Sequence, residues 1–364
     1  MKKVLTALLA VILLQGCNNS EEHLQKRAEK IHDNFLSVDT HCDTPMALEV
    51  SDFDLGVRHD EGCVDFPRMK EGRLDAEFFA VFTGQGPRDD SSYAKVHAEA
   101  LKIFDAIHKN VEKNSSLAGI ALTPDDAYRL KKEGKIAAFI GVENGYPLGK
   151  DISRVKELFD LGARYITLCH SANNDICDSS SDPKGPENNG LSSFGTGVVK
   201  EMNRLGMMID VSHMSDKSFY DVISLSKAPV IASHSSCRAL CSSPRNLTDD
   251  MLLSLKGNSG VIQICILSDY IKPCELMDRY RKLATVSDVV DHIDHVVQVI
   301  GIDHVGIGTD FDGGGGVDGC RTAAGMKNIT VELLRRGYSK ADIAKIWGKN
   351  TMRVFREVEK AASL

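Results

Sequence analysis

"KIAAFIGVEN", residues 135–144, decides the fold. Six apolar side chains and a glycine follow one another without alternation, and the run stops at Glu143 and Asn144. A strand with one wet face alternates apolar and polar residues; a strand covered on both faces, as in a parallel sheet, does not. "FLSVDTHCD" (35–43), "AEFFAVFTG" (76–84), "RYITLCHS" (164–171), "SGVIQICIL" (259–267) and "HVGIGTDFD" (304–312) read the same way. "GMMIDVSH" (206–213) and "APVIASHS" (228–235) bring the strand candidates to eight. Helical patterns lie between them. "ISRVKELFDLGA" (152–163) sets Ile152, Val155, Leu158 and Phe159 on one face, and "DVVDHIDHVVQVIG" (288–301) repeats the pattern. Strand and helix alternating eight times predict a (β/α)8 TIM-type barrel, with an open doubly wound sheet as the competitor. No Pro/Gly-rich linker divides the 364 residues, so one domain is expected over 31–364. Residues 85–116 carry a further helix around "AKVHAEALKIFDAIHKN". Residues 172–196 form a long polar connection, of a length that marks a functional lid or a disordered segment.

Composition excludes some classes. The chain is 42% hydrophobic and 26% charged, with a net charge of −7 and no sustained basic stretch, so nucleic acid is not expected as a partner. Past the N-terminus no apolar run is long enough to span a bilayer. The N-terminus itself reads as an export signal: Lys2 and Lys3, an apolar core from Val4 to Leu14, then "LQGC". Residues 1–16 are therefore expected to be a lipoprotein-type signal peptide, with Cys17 lipidated, and residues 17–30 a polar tether to the membrane. Localisation would be the bacterial cell envelope, at the outer membrane or in the periplasm. Of ten cysteines, Cys169, Cys177, Cys237 and Cys241 are disulfide candidates. The sequence leaves the oligomeric state open, a homodimer included.

Polar residues at the strand ends carry the chemistry. His41 and Asp43 close the first strand, Glu143 the third, His170 the fourth, His213 the fifth, His234 the sixth and Asp310 the eighth. Side chains at i and i+2 of a strand point the same way, so His41 and Asp43 project together while Cys42 turns to the other face and packs. In a barrel all these ends share one rim, the rim that carries active sites. Imidazole and carboxylate without thiolate suit zinc, with manganese, iron or cobalt as alternatives. The donors exceed the needs of one tetrahedral ion and suit two, about 3.5 Å apart and bridged by a carboxylate, which points to hydrolysis by a metal-bridged hydroxide. His23, His32, His59, His97 and His108 read as surface residues. His292 and His295 sit on a helix, and His304 begins a strand on the wrong face. "GGGG" (313–316) lacks the features of a phosphate loop and reads as a flexible loop.

The segments "VDTHCDTP", "IGVENGYPL", "LGARYITLCHSANN", "GLSSFGTGVVKEMNRLGMMIDVSHMS", "ASHSSCRAL", "SPRNLTDD", "HVGIGTDFDG" and "WGKNTMRVF" together resemble the membrane (renal-type) dipeptidases, zinc peptidases with a (β/α)8 barrel and two zinc ions at its C-terminal face. The resemblance runs from about residue 30 to about 356. It implies that His41 and Asp43 hold one zinc, that His213 and His234 hold the other, and that Glu143 bridges them. His170 would contact the substrate and stabilise the oxyanion, and Arg245 would grip the substrate's terminal carboxylate, although its position alone reads as surface. Asp310 would shuttle the proton. The substrate would be a dipeptide, including those with a C-terminal D-residue. Asn144 departs from the family, where glycine is common. Alternatives are another metal-dependent barrel hydrolase of lactonase or amidohydrolase type, and a non-catalytic peptide-binding surface lipoprotein. The first commonly uses a carbamylated lysine as the bridge, and no lysine ends a strand here.

Overall fold

The structure, a computed structural model, describes residues 21–273 and 284–362. Nine strands form one parallel sheet: β1 Val38–Cys42, β2 Ala76–Phe82, β3 Ala118–Ile120, β4 Ile136–Glu143, β5 Ala163–Thr167, β6 Met208–Asp210, β7 Ile231–Ser235, β8 Val261–Ile264 and β9 Val305–Ile307. Eight follow the order β1-β2-β4-β5-β6-β7-β8-β9, and β3 pairs only with β4. The ring closes just beyond the last strand, where Asp310 N–H donates to His41 O at 3.0 Å and Asp43 N–H to Phe311 O at 2.8 Å. The result is a nearly closed (β/α)8 barrel with every expected strand in place.

Each strand divides its side chains between two apolar layers. Val38, Ala76, Phe78, Ala137, Phe139, Tyr165, Met208, Ile231 and Val261 fill the barrel, and Met352 and Phe355 of the helix Asn350–Ala362 join them at its N-terminal end. Phe79, Val81, Ala138, Ile140, Val142, Ile166, Ile262 and Ile264 face the surrounding helices. Both faces of each strand are buried, which explains the unbroken apolar runs. Several of the helices begin at side-chain caps, each supplying an acceptor for an otherwise free backbone N–H. Ser192 caps Ser193–Leu205, Ser215 caps Asp216–Leu225, and Thr285 with Asp288 forms a capping box for Val286–Ile300.

β1 contains a bulge. Asp39 pairs with Glu77 and Cys42 with Phe79, so two residues of β1 face one of β2. The bulge restores the inward direction for His41 and Asp43 after Val38 has already pointed inward. Cys42 lies among the outer-layer residues, fully buried, and burial raises its thiol well above the usual range.

Four expectations are corrected. The tether expected through residue 30 does not hold for residues 21–30. Glu21–His32 is a helix that buries Leu24, Ala28, Ile31 and His32 against the barrel, so the packed domain includes it; residues 1–20, with the signal and Cys17, lie outside the described residues. His32 is accordingly buried, not on the surface, and bonds to Thr330 Oγ1 at 2.7 Å. The "GGGG" run is a tight turn rather than a free loop, with Gly313 and Gly315 N–H both donating to Asp310 O. A Cβ on Gly315 would lie 2.0 Å from Thr309 O, which is why glycine is needed there. The cysteines read as disulfide candidates, Cys169, Cys177, Cys237 and Cys241, are not cross-linked: all eight cysteines among the described residues are free. Within the 172–196 connection, the buried Asp178 carboxylate accepts the N–H groups of Glu187, Asn188 and Gly190, and Ser193 starts a helix.

Candidate active site

The C-terminal ends of six strands meet at one rim. His41 lies in β1 and Asp43 directly follows it, Glu143 ends β4 and His234 lies in β7. His170, His213 and Asp310 each follow their strand by three residues. Glu143 is the hub. Its Oε1 lies 3.0 Å from His213 Nε2, 3.3 Å from His234 Nε2 and 3.7 Å from His170 Nε2, while Oε2 lies 3.5 Å from His41 Nε2. His41 Nε2 is 3.6 Å from Asp43 Oδ2. Three overlapping groups follow, each with donor atoms within 4.8 Å of one another: His41–Glu143–His234, Glu143–His170–His213, and His41–Asp43–Asp310. All seven expected rim residues are thus brought together.

The backbone is forced to make this convergence. His213 has φ +68, Asp310 +61, Asp312 +65 and Asn144 +75, a region that non-glycine residues avoid and that clusters at functional sites. Asn144 satisfies itself locally: its Nδ2 donates to Thr83 O at 3.0 Å, and its Oδ1 accepts from Tyr146 N–H and Asn174 Nδ2. Gly313 has the opposite reason to be fixed. A Cβ there would lie 2.1 Å from Asp43 Oδ2 and 2.4 Å from Asp310 Oδ1.

The charges are arranged for a cation. Burial and the Glu143 charge push Asp43 up to about 6, and burial with the Asp43 charge pushes Asp310 up to about 8. Burial alone would raise Glu143 too, but His41 and the bonds from His213 and His234 hold it well below the carboxylate range. Burial opposes a proton on His41, yet Tyr165, Glu143 and Asp43 together draw one on. Burial, with His41 nearby, lowers His234 to about 3, and burial with Arg245 lowers His213 well below its ordinary value. His213 and His234, buried and held neutral beside the ionised Glu143, are in the state that metal ligation requires, whereas His41 would give up its proton to a bound cation. The donor set fits a metal centre on geometry as well. His41 Nε2 and Asp43 Oδ1 are buried without a hydrogen-bond partner, and His213 and His234 point their Nε2 atoms at each other across 2.8 Å.

A cavity of about 280 Å³ opens on this cluster, lined by Asp43, Glu143, His170, His213, Asp310 and Gly313 with Met46, Phe82, Leu267 and Tyr270. A larger hollow of about 580 Å³, lined by Lys200, Arg204, Lys227 and Ala361, sits at the C-terminal ends of crossover helices, on the opposite face, away from all three donor groups. Arg245 is buried, not on the surface. Its Nη2 donates to His234 O at 3.0 Å and its Nη1 to Ser235 Oγ at 3.3 Å. Its Nε has no partner, no carboxylate lies within ion-pair distance among the described residues, and its guanidinium stacks over Tyr270 at 5.2 Å. Tyr270 was not identified from the sequence; its only signal is its place beyond β8. His292 is held in the protein, accepting from Cys237 N–H and bonding Ile271 O, and His304 bonds Gly260 O.

A (β/α)8 barrel whose C-terminal rim gathers imidazoles and carboxylates around a small cavity defines a metal-dependent hydrolase of the barrel type. Comparison with known proteins then fixes the family. Residues 25–364 match the model for "Membrane dipeptidase (Peptidase family M19)", and the chain belongs to that family. It is 37% identical over 307 residues to dipeptidase tcpJ of Claviceps purpurea, covering 83% of this chain and 71% of that protein. It is 33% identical over 362 residues to the uncharacterized dipeptidase C965.12 of Schizosaccharomyces pombe, covering 94% and 85%. The crystal structure of the probable dipeptidase PvdM from Pseudomonas aeruginosa superposes with a TM-score of 0.88 at 31% identity, over 93% of this chain and 99% of that one. The protein is a dipeptidase of the metallopeptidase class.

Proposed function

We propose that the protein hydrolyses dipeptides with two zinc ions, His41 and Asp43 holding one, His213 and His234 the other, and Glu143 bridging them. The observation that carries this reading is Glu143, whose two carboxylate oxygens face His41 on one side and His213 and His234 on the other. Bound there, the ions would supply Lewis acidity and a water made acidic near neutral pH. The chain's own residues then divide the remaining work. Arg245, a buried cation without an acidic partner among the described residues, holds the substrate's terminal carboxylate. His170, beside Glu143 and stacked edge-on to Phe82, donates to the carbonyl oxygen as negative charge develops there. Asp310 accepts a proton at the rim and returns it to the leaving amine, a role suited to a carboxyl whose pKa burial and Asp43 raise to about 8. The 280 Å³ cavity suits a ligand of dipeptide size. These groups all hold the amide and the carboxylate rather than the side chain, so dipeptides with a C-terminal D-residue belong to the proposed substrates.

The N-terminal signal pattern and Cys17 support anchoring by lipid in a bacterial envelope. Assay of L,L- and L,D-dipeptides with and without chelator, beside metal analysis of the purified protein, tests the reading. Chelator-sensitive hydrolysis lost in His213→Ala is expected. Undiminished hydrolysis by that folded variant would overturn the assignment.

A further inference from the structure

Two imidazoles of the cluster are held from behind, by different partners. His41 Nδ1 lies 2.8 Å from the Tyr165 hydroxyl, and that hydroxyl lies 3.1 Å from Thr40 O. The carbonyl can only accept, so the Tyr165 proton goes to it. The Tyr165 oxygen is left to accept from His41 Nδ1–H. His234 Nδ1 lies 2.8 Å from Ser233 Oγ, which itself lies 2.5 Å from Asp210 Oδ2. Asp210 also accepts Ser212 N–H at 3.0 Å, Ser233 N–H at 2.8 Å and the Thr167 hydroxyl. A carboxylate taking four donors is acting as an acceptor throughout, so the Ser233 proton goes to Asp210 and the Ser233 oxygen accepts from His234 Nδ1–H. All of Tyr165, Asp210, Ser233 and His234 are buried.

The fold makes room for this support. Tyr165 crosses β4 at Gly141, where a Cβ would lie 2.1 Å from the ring. Glycine in the middle of an apolar strand weakens it and marks a close approach; here the approach is that of the ring that holds His41. Asp210 ends β6 and Ser233 lies in β7, so their bonds also join two strands that share a single register pair, Asp210 with Ile231.

We propose that Tyr165, for His41, and the Asp210–Ser233 pair, for His234, are positioning residues that fix the ring proton on Nδ1 and so present an Nε2 lone pair on each side of Glu143, each support governing one of two separate cation positions. The inference rests on the reading above that these residues hold two cations. Ligand imidazoles are commonly oriented this way by a second hydrogen bond, and loss of such a partner costs roughly 10–100-fold in metal affinity. The two supports differ in sensitivity. Asn at position 210 would turn an N–H toward Ser233, reverse that hydroxyl, and move the His234 proton to Nε2, where it would block the lone pair. Phe at position 165 leaves the Nδ1–H of His41 without an acceptor but does not reverse it.

The experiment titrates Co2+, and then Zn2+ in competition with a chromophoric chelator, into metal-free wild type, Asp210→Asn, Ser233→Ala and Tyr165→Phe. Co2+ absorption separates the two positions, and near-ultraviolet circular dichroism of each metal-free protein monitors folding. The expected result is two cations in wild type, with about 10–100-fold weaker binding at one position in Asp210→Asn and Ser233→Ala, and at the other in Tyr165→Phe. Wild type binding two cations with all variants unchanged, or with both positions weakened equally by every variant, overturns the positioning roles while leaving the two-cation reading intact. Wild type binding none overturns the two-cation reading itself. If Asp210→Asn fails to fold, Ser233→Ala against Tyr165→Phe carries the same test.

Discussion

At the N-terminal end of the barrel Phe78 and Phe139 stack with centroids 4.5 Å apart, and Phe355 closes on Phe139 at 5.9 Å. At the C-terminal end of the same strands Glu143 collects four imidazoles within 3.7 Å. β4 supplies both, Phe139 to the floor and Glu143 to the rim, four residues apart and on the same side of the strand. The floor is made of groups that want nothing but contact. The rim is made of backbone in left-handed conformations and of charges that repel unless a cation lies among them. Stability and chemistry are thus separated along β4 by about 13 Å of rise, and substitutions at the two ends should fail in different ways.

The largest effect belongs to the rim. Glu143→Gln removes the charge that faces four imidazoles, and activity should fall roughly a thousandfold or more while circular dichroism and thermal unfolding stay close to wild type. A variant that unfolded instead would show that rim and floor are not separable. Phe139→Ala is the converse. It should lower unfolding free energy by about 3–5 kcal/mol in denaturant titration, with activity per folded molecule nearly unchanged. Gly313→Ala adds one methyl that would press on both Asp43 and Asp310. Activity should drop about 10–100-fold with little change in stability, and normal turnover would show that the Asp43–Asp310 pair can yield.

The smallest effect is a pH slope at His32, beside the N-terminal end of the barrel. Burial, with Lys131 nearby, lowers His32 from 6.5 to about 3. Between those values the unfolded chain binds a proton that the folded chain does not. Stability is therefore complete above pH 6.5 and declines as pH falls toward 3. His32→Gln should remove up to about 1.4 kcal/mol per pH unit from that slope, read as melting temperature against pH for the metal-free protein. An unchanged slope would show that His32 does not titrate in the unfolded chain as expected.

The sequence showed the strands because both faces of each are buried, and it showed the rim because a histidine or carboxylate interrupts each apolar run where the strand stops. β3 was missed because "AGI" is too short to carry a period. Residues 21–30 of the helix Glu21–His32 read as tether in the sequence because four buried positions among charges make a weak signal. Arg245 is legible only by resemblance, since its burial arises from His234, Ser235 and Tyr270, which pack around it. The bulge in β1 and the supports at Tyr165 and Asp210 are relations between strands far apart in the chain, and no local pattern encodes them.

The most direct measurement is anomalous diffraction at the zinc edge from crystals grown with excess zinc. Two peaks are expected, one beside His41 and Asp43 and one beside His213 and His234, each in contact with Glu143. No peak within bonding distance of Glu143, or zinc held only elsewhere, would contradict the proposed centre.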